Sequence, residues 1–354
     1  MILSHWPRAL LLAAAMASTS ALHGCGQATD APEAVSAPAA APAAPAAPAA
    51  PAAPAAPAAP ANAPSQNAYA PITVKHKLGE TVIDRLPQRV VALDMNEVDF
   101  LDELGVPVVG MPKDFVPHFL ARYRDAPEVQ DMGAIVQPNL ERVYAAKPDL
   151  ILITSLQANH YKELSQIAPT IHFDVDYRDS QADHIEIVKD HLLTLGRIFG
   201  KEDLARQKAA GLDAKVEEAR ALIRDRPETA LVVLHNNGAF SSFGVQSRYG
   251  FIFKALGVKP ASPLADGGLH GQPVSSEFIQ QANPDIVYVV DRTAVMERRP
   301  ALNAETLGNP LLRQTSAWRD GRVVFADAEA WYVTAASVKS LHLMIDEVMR
   351  PYRN

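Results

Sequence analysis

From about residue 71 onward, short apolar runs alternate with longer stretches in which apolar residues return every three or four positions. The runs at 90–93, 108–110, 150–153 and 171–173, then 230–234, 286–290 and 323–325, are apolar on consecutive positions. That is the pattern of strands covered on both faces. Between the two groups, Ile185, Val188, Leu192, Leu195 and Phe199 form one helical stripe, with Asp183 placed to cap its start and Gly200 to end it. A helix over 183–199 would be about 25 Å long at the standard rise. A second helical pattern runs from Glu202 to about Arg224 and breaks at Arg226-Pro227. Strands alternating with helices predict an α/β fold.

The two strand groups share an internal echo. The first contains Leu140-Glu141 and then Ala146-Lys147-Pro148-Asp149-Leu150-Ile151; the second contains Ser276-Glu277 and then Ala282-Asn283-Pro284-Asp285-Ile286-Val287. In each, Glu stands seven residues before Pro-Asp, a helical stretch lies between, and a strand follows. Pro ends the helix and Asp takes the turn. The repeat at an offset of 136 residues predicts two similarly built α/β lobes, 71–180 and 201–354. One long α-helix at 181–200 bridges them, and a ligand cleft lies between, where binding sites are favoured.

The first seventy residues are of another kind. Arg8 followed by the apolar stretch 9–21 reads as a signal peptide, too short to span a bilayer. Leu22-His23-Gly24-Cys25 then looks like a bacterial lipobox, which makes 1–25 a lipoprotein signal and Cys25 the lipidated residue; His23 departs from the smaller residue usual there. Cys25 is the sole cysteine of the 354 residues, so no internal disulfide and no Cys-based metal cage can form. Residues 26–70 are dominated by Ala-Ala-Pro repeats, which cannot form a regular helix or a core and are expected to be a disordered spacer. The net charge is −7 with no basic run, which argues against nucleic acid as a partner. Without Arg8, Asp30 and Glu33, the chain from residue 71 carries 32 basic and 38 acidic residues.

Several short segments carry a resemblance. They are Gly79-Glu80-Thr81-Val82, Pro87-Gln88-Arg89-Val90-Val91 and the two Glu-containing units. Further on come Phe243-Gly244-Val245-Gln246-Ser247-Arg248-Tyr249-Gly250, His270-Gly271, Val290-Asp291-Arg292 and Trp331-Tyr332. In order and spacing the chain resembles the periplasmic binding proteins of ABC importers for siderophores, haem and cobalamin, and within them the ferric-catecholate subgroup. The resemblance covers nearly all of 72–354. It implies a monomer, tethered outside the cytoplasm by its lipid, that delivers cargo to a membrane permease and its ATPase. It also implies that Glu141 and Glu277 dock onto permease arginines, although a carboxylate on a first helical turn is favoured by the helix dipole in any case.

A ferric catecholate is anionic, with net charge −1 for two catecholates and −3 for three. An acidic protein must therefore recognise it through local cations. Arg248, after a loop-like run, and Arg292, just past an apolar strand, are placed for a cleft mouth, and guanidinium suits clustered oxygens. The resemblance implies that His270 and Tyr332 complete the iron shell when the siderophore supplies four donors, a reasonable pairing of phenolate and imidazole with Fe(III). No intrinsic cofactor is expected; the iron arrives as part of the cargo. One departure stands out: Leu156 occupies a position where the subgroup often has arginine, and Gln157, His160, Asn96 and Arg178 are possible substitutes. His184 and His191 read as structural or surface residues.

Haem or cobalamin remains the alternative cargo, since haem also uses His or Tyr. Bare Zn²⁺ or Mn²⁺ is disfavoured by the lack of clustered His and carboxylate residues at ligand spacing. An extracytoplasmic enzyme is disfavoured because the sequence contains no Gly-x-Ser-x-Gly, His-Glu-x-x-His or phosphate-loop motif, and Ser241, Ser242 and Asp291 show no triad-like spacing. A structural lipoprotein would leave the paired Glu units and the Arg, His and Tyr residues unexplained.

Overall fold

The computed structural model describes residues 69–177, 183–263 and 270–353. Cys25, the segment around it, the Ala-Pro tract as far as residue 68, and Arg178 lie outside them. All seven anticipated strands form, and they sort into two sheets as the echo predicts. The first has five strands in the order Gln130–Asp131, Val108–Met111, Val90–Ala92, Leu150–Ile153, Thr170–His172, all parallel. Parallel pairing requires crossovers, and the helices Met95–Glu103, Leu140–Ala145 and Tyr161–Ile167 lie between its strands in the chain. Alternation along the strands divides their side chains between two apolar layers. Val91, Leu93, Ile151 and Ile153 pack with Val143 and Leu164, while Val90, Ala92, Leu150 and Leu152 face the main core.

The second sheet runs in the order Gln272–Val274, Ala239–Phe243, Thr229–Asn236, Ile286–Asp291, Val323–Phe325, with Lys259–Pro260 also paired to Thr229–Asn236. It is mixed: its first two pairings are antiparallel and the rest parallel. The antiparallel part was not anticipated. Its hairpin turns on Asn237-Gly238, with φ of 49° and 85°, the left-handed pair that a type I′ turn requires. The Asn-Gly dipeptide between apolar runs was the signal for it.

The echo has a structural cause. In both lobes the residue before proline is left-handed, Lys147 at φ 49° and Asn283 at φ 39°. The aspartate after it grips the chain entering the neighbouring central strand. Asp149 accepts the backbone N–H groups of Gln88 (2.8 Å) and Arg89 (2.7 Å), and Asp285 accepts that of Thr229 (2.9 Å).

Between the sheets runs the helix His184–Ile198, with Asp183 accepting from the N–H groups of Ile185 and Glu186 and with Gly200 left-handed at φ 61°. All five stripe residues are buried. At Gly196 an added Cβ would lie 2.5 Å from that of Ala205, so glycine lets the following helix Glu202–Ile223 approach closely. Ile185, Leu192 and Leu195 share one apolar cluster with Phe100 and Leu101 of the first lobe and with Tyr288, Leu341 and Met344. The C-terminal helix Val338–Met349 is tied back to the first lobe: Asn96 Oδ1 accepts from Ala336 N at 3.0 Å, and Asp99 Oδ2 from Lys339 N at 2.8 Å. Among the described residues, no helix is long and apolar enough to cross a membrane.

Candidate functional site

A cavity of about 390 Å³ opens between the lobes. Arg248, His270, Arg292 and Tyr332, separated by up to 84 residues in sequence, all line it. Each is placed by a different local device.

Arg248 follows a tight turn in which Ser247 Oγ donates to Gly244 O at 2.7 Å. Gly250 is needed there, because a Cβ would sit 2.1 Å from Val245 O. Arg248 is only 6% exposed. Its Nη2 donates to the carbonyls of Trp331 (3.3 Å) and Tyr332 (3.1 Å), and its Nε is buried without a partner. Arg292 opens the short helix after strand Ile286–Asp291, at the carboxyl end where α/β folds gather ligands. Its Nε donates to Tyr332 Oη at 2.7 Å and its Nη1 to Asn236 Oδ1 at 3.0 Å.

Tyr332 lies in a wide turn, Glu329–Thr334, closed by Ala335 N donating to Ala330 O five residues back. Such π-turns are frequent at functional sites. The turn is anchored by buried Trp331, whose Nε1 donates to Glu347 at 2.7 Å and whose ring stacks on Tyr288. His270 Nε2 lies 3.3 Å from Tyr332 Oη, so the imidazole and the phenol converge on one point. Burial, then the charges of Arg292 and Arg248, pull the His270 pKa down. A neutral imidazole with a free lone pair is the form that binds a metal.

The opposite wall comes from the first lobe and is chemically different. It carries Asp94, Asn96, Glu97, Thr154, Leu156 and Asp174. Asp94 follows the strand Val90–Ala92 and caps the helix Met95–Glu103, accepting from the Asn96 backbone N–H and side chain and from the Thr154 hydroxyl. Val136, Leu156 and Met296 are exposed apolar residues of the lining. Of the possible substitutes for the missing arginine, Asn96 lines the cavity but is committed to Ala336 N. Gln157 is fully buried, closing a capping box with Thr154 and donating to Ile135 O. His160 is not among the lining residues, and Arg178 lies outside the described residues.

His184 is a buried structural residue whose Nε2 lies 3.1 Å from Ala335 O. His191, about two turns further along the bridging helix, lines the cavity, which its helical spacing alone did not reveal. Burial pulls both down to about 4. The acidic first-lobe wall was also missed, although Asp94 stands just beyond an apolar run, the same signal that marked Arg292.

Glu141 and Glu277 do not line the cavity. They are exposed on the first turns of the matched helices Leu140–Ala145 and Ser276–Ala282, capped by Asn139 and Ser275. The Glu277 carboxyl is held below its usual range by its own backbone N–H and the Ser275 hydroxyl. The described residues around Asp291 are not arranged as a catalytic triad. His235 uses Nδ1 for Asp291 (3.1 Å) and Nε2 to accept from Gly238 N (2.9 Å), while Ser242 Oγ donates to Val232 O.

The periplasmic binding protein family model matches residues 90–330. The chain is 61% identical over 284 residues to the ferric-anguibactin-binding protein FatB of Vibrio anguillarum, covering 80% of this chain and 88% of that one. It is 36% identical over 282 residues to the petrobactin-binding protein YclQ of Bacillus subtilis, covering 78% and 87%. Among solved structures, the siderophore-binding protein BauB, bound to a complex of two acinetobactin molecules and ferric iron, superposes with a TM-score of 0.77 at 64% identity. That match covers 80% of this chain and 99% of the other.

Proposed function

This chain belongs to the periplasmic binding protein family, and from that premise we propose that it captures a ferric siderophore outside the cytoplasm and delivers it to an ABC permease. The observation that carries the reading is the convergence of Arg248, Arg292, His270 and Tyr332 on one cavity wall. Two guanidinium groups supply the positive field an anionic oxygen-rich complex needs inside an acidic protein. His270 and Tyr332 offer a nitrogen and an oxygen donor 3.3 Å apart, close enough to take two adjacent positions on one ferric ion left four-coordinate by its siderophore. The relatives that bind ferric anguibactin and a two-acinetobactin ferric complex favour a cargo of that kind.

The remaining parts of the reading follow the same logic. Cys25 is the lipid-bearing residue, the Ala-Pro tract is the spacer, and the protein works as a monomer. The lobes meet the permease through exposed Glu141 and Glu277, whose matched positions suit a partner with paired cationic sites. The first lobe (71–180) and second lobe (201–354) act as the two jaws, with the 181–200 segment between them.

A fluorescence titration tests it, with Trp331 behind the cavity wall and Trp318 as reporters. A ferric tetradentate catecholate should quench and saturate, with haem and cobalamin as controls. Replacing His270 by Ala and Tyr332 by Phe should each weaken binding by about tenfold, about 1.4 kcal/mol, and shift the ligand-to-iron charge-transfer band. Saturation by haem or cobalamin in place of every ferric complex would overturn the siderophore reading. Unchanged affinity and spectrum in both variants would leave the cargo standing and remove the direct iron contacts.

A further inference from the structure

The two walls of the cavity are opposite in charge. Its cations, Arg248 and Arg292, come from the second lobe, and among the described lining residues the first lobe offers no Lys or Arg. It offers three carboxyls instead, Asp94, Glu97 and Asp174. Two of them are occupied. Asp94 accepts from Asn96 and Thr154, and Asp174 accepts from Lys77 Nζ at 3.0 Å. Glu97 is different: it is 1% exposed, and its Oε2 is buried with no hydrogen-bond partner. Leaving such a group unsatisfied is unfavourable, and because Glu97 lines the cavity, a water or a group of the cargo entering there would supply the missing partner.

We propose that Glu97 is a specificity-determining residue that receives a protonated nitrogen group carried by the cargo, so that the cleft selects a ferric complex with anionic oxygens at one end and a basic nitrogen at the other. This rests on the ferric-siderophore reading and narrows it. Two cations facing this acidic wall match a complex of low net charge, not a tris-catecholate at −3. His191 also lines the cavity and remains neutral, so it brings no compensating positive charge. Burial, reinforced by the neighbouring Asp94 charge, raises the Glu97 carboxyl pKa well above its usual range, so burial without a cationic partner disfavours the carboxylate. A cationic nitrogen beside Glu97 favours the carboxylate as its counter-charge, so binding of such a cargo is expected to release a proton.

The test uses two synthetic bis-catecholates that hold Fe(III) through the same four oxygens, one with an ether linker and one with a secondary amine in the linker. Wild-type protein should bind the amine complex about tenfold more tightly, about 1.4 kcal/mol, and calorimetry in buffers of different ionisation enthalpy should detect about one proton released. Glu97→Gln should reduce the preference to less than about twofold while retaining the ether complex, whose binding also reports that the variant is folded. Glu97→Asp should keep part of the preference. Equal affinity of wild type for the two complexes would assign Oε2 to a resident water and overturn the proposal, leaving the siderophore reading intact. Failure of wild type to bind either complex would overturn both.

Discussion

At the scale of single residues, the buried histidines show how packing sets protonation. His184 sits between Tyr177 and Phe251 with Nε2 on Ala335 O, and burial pulls it from 6.5 to about 4. The native state therefore keeps it neutral, while the unfolded chain takes up a proton below about 6.5. The sign follows from linkage: its stabilising contribution is complete above 6.5 and is lost as pH falls toward 4. His184→Gln, which cannot take up that proton, should melt below wild type at pH 7.5, and the gap should narrow markedly at pH 5. Thermal melts at the two pH values check this, and a gap that stays constant would show that the ring's charge is not what matters. Arg248 illustrates the converse, a charge kept ionised in the interior. Burial opposes its charge, but the surrounding Tyr249, Tyr177, Tyr332 and Asp94 outweigh that and hold its pKa above the ordinary value. Its contacts with the Trp331 and Tyr332 carbonyls make one guanidinium both a ligand-facing cation and a clamp on the turn bearing Tyr332.

At the scale of elements, what matters is how short connections aim side chains. The turn from Gly244 to Gly250 brings Arg248 into the cavity because the backbone passes within contact of itself, leaving no room for a side chain at Gly250. Gly250→Ala should destabilise the protein by about 2 kcal/mol or more, the cost typical of overpacking, and should also weaken ferric-complex binding by displacing Arg248. Denaturant melts combined with the same fluorescence titration measure both; a variant of normal stability and affinity would mean the turn is not constrained as described. The matched Glu and Pro-Asp units show a second elemental rule. Their aspartates hold the entry to each central strand, which explains why Pro-Asp recurs whatever the role of the glutamates. The legibility of the elements followed their chemistry. Parallel strands buried on both faces announce themselves by continuous apolar runs. The strand Ala239–Phe243 and the edge strand Gln272–Val274 contain Ser, Gln and Pro and carry no such run.

At the scale of the molecule, the lobes share one apolar core that includes the bridging helix and the helix Val338–Met349. Shared packing of this kind resists large hinge motion and favours small adjustments around a largely formed cleft. The delivery step then depends on surfaces away from the cleft. Substituting Glu141 and Glu277 together by Ala should leave ferric-complex affinity within about twofold of wild type, since surface changes rarely exceed about 0.5 kcal/mol. Iron-dependent growth through the cognate importer should fall sharply. Normal uptake by the double variant would remove these carboxylates from the docking surface.

The sequence alone determined the α/β class, the two-lobe plan, the bridging helix with its Asp183 and Gly200 ends, and Arg248 and Arg292 of the cleft, while His270 and Tyr332 came through the family resemblance. Each was written in local terms, as periodicity, caps, a repeated unit or a short motif after a strand. Tertiary structure alone decided that Arg248 is buried against the Tyr332 turn, that Arg292 and His270 meet on Tyr332 Oη, and that an acidic wall with an unpartnered Glu97 faces them. The physical reason is that burial and electrostatic environment belong to no single segment. Glu97 on the surface of a helix would be an ordinary solvated carboxylate. Only the meeting of two lobes encloses it and makes its charge depend on what enters the cleft.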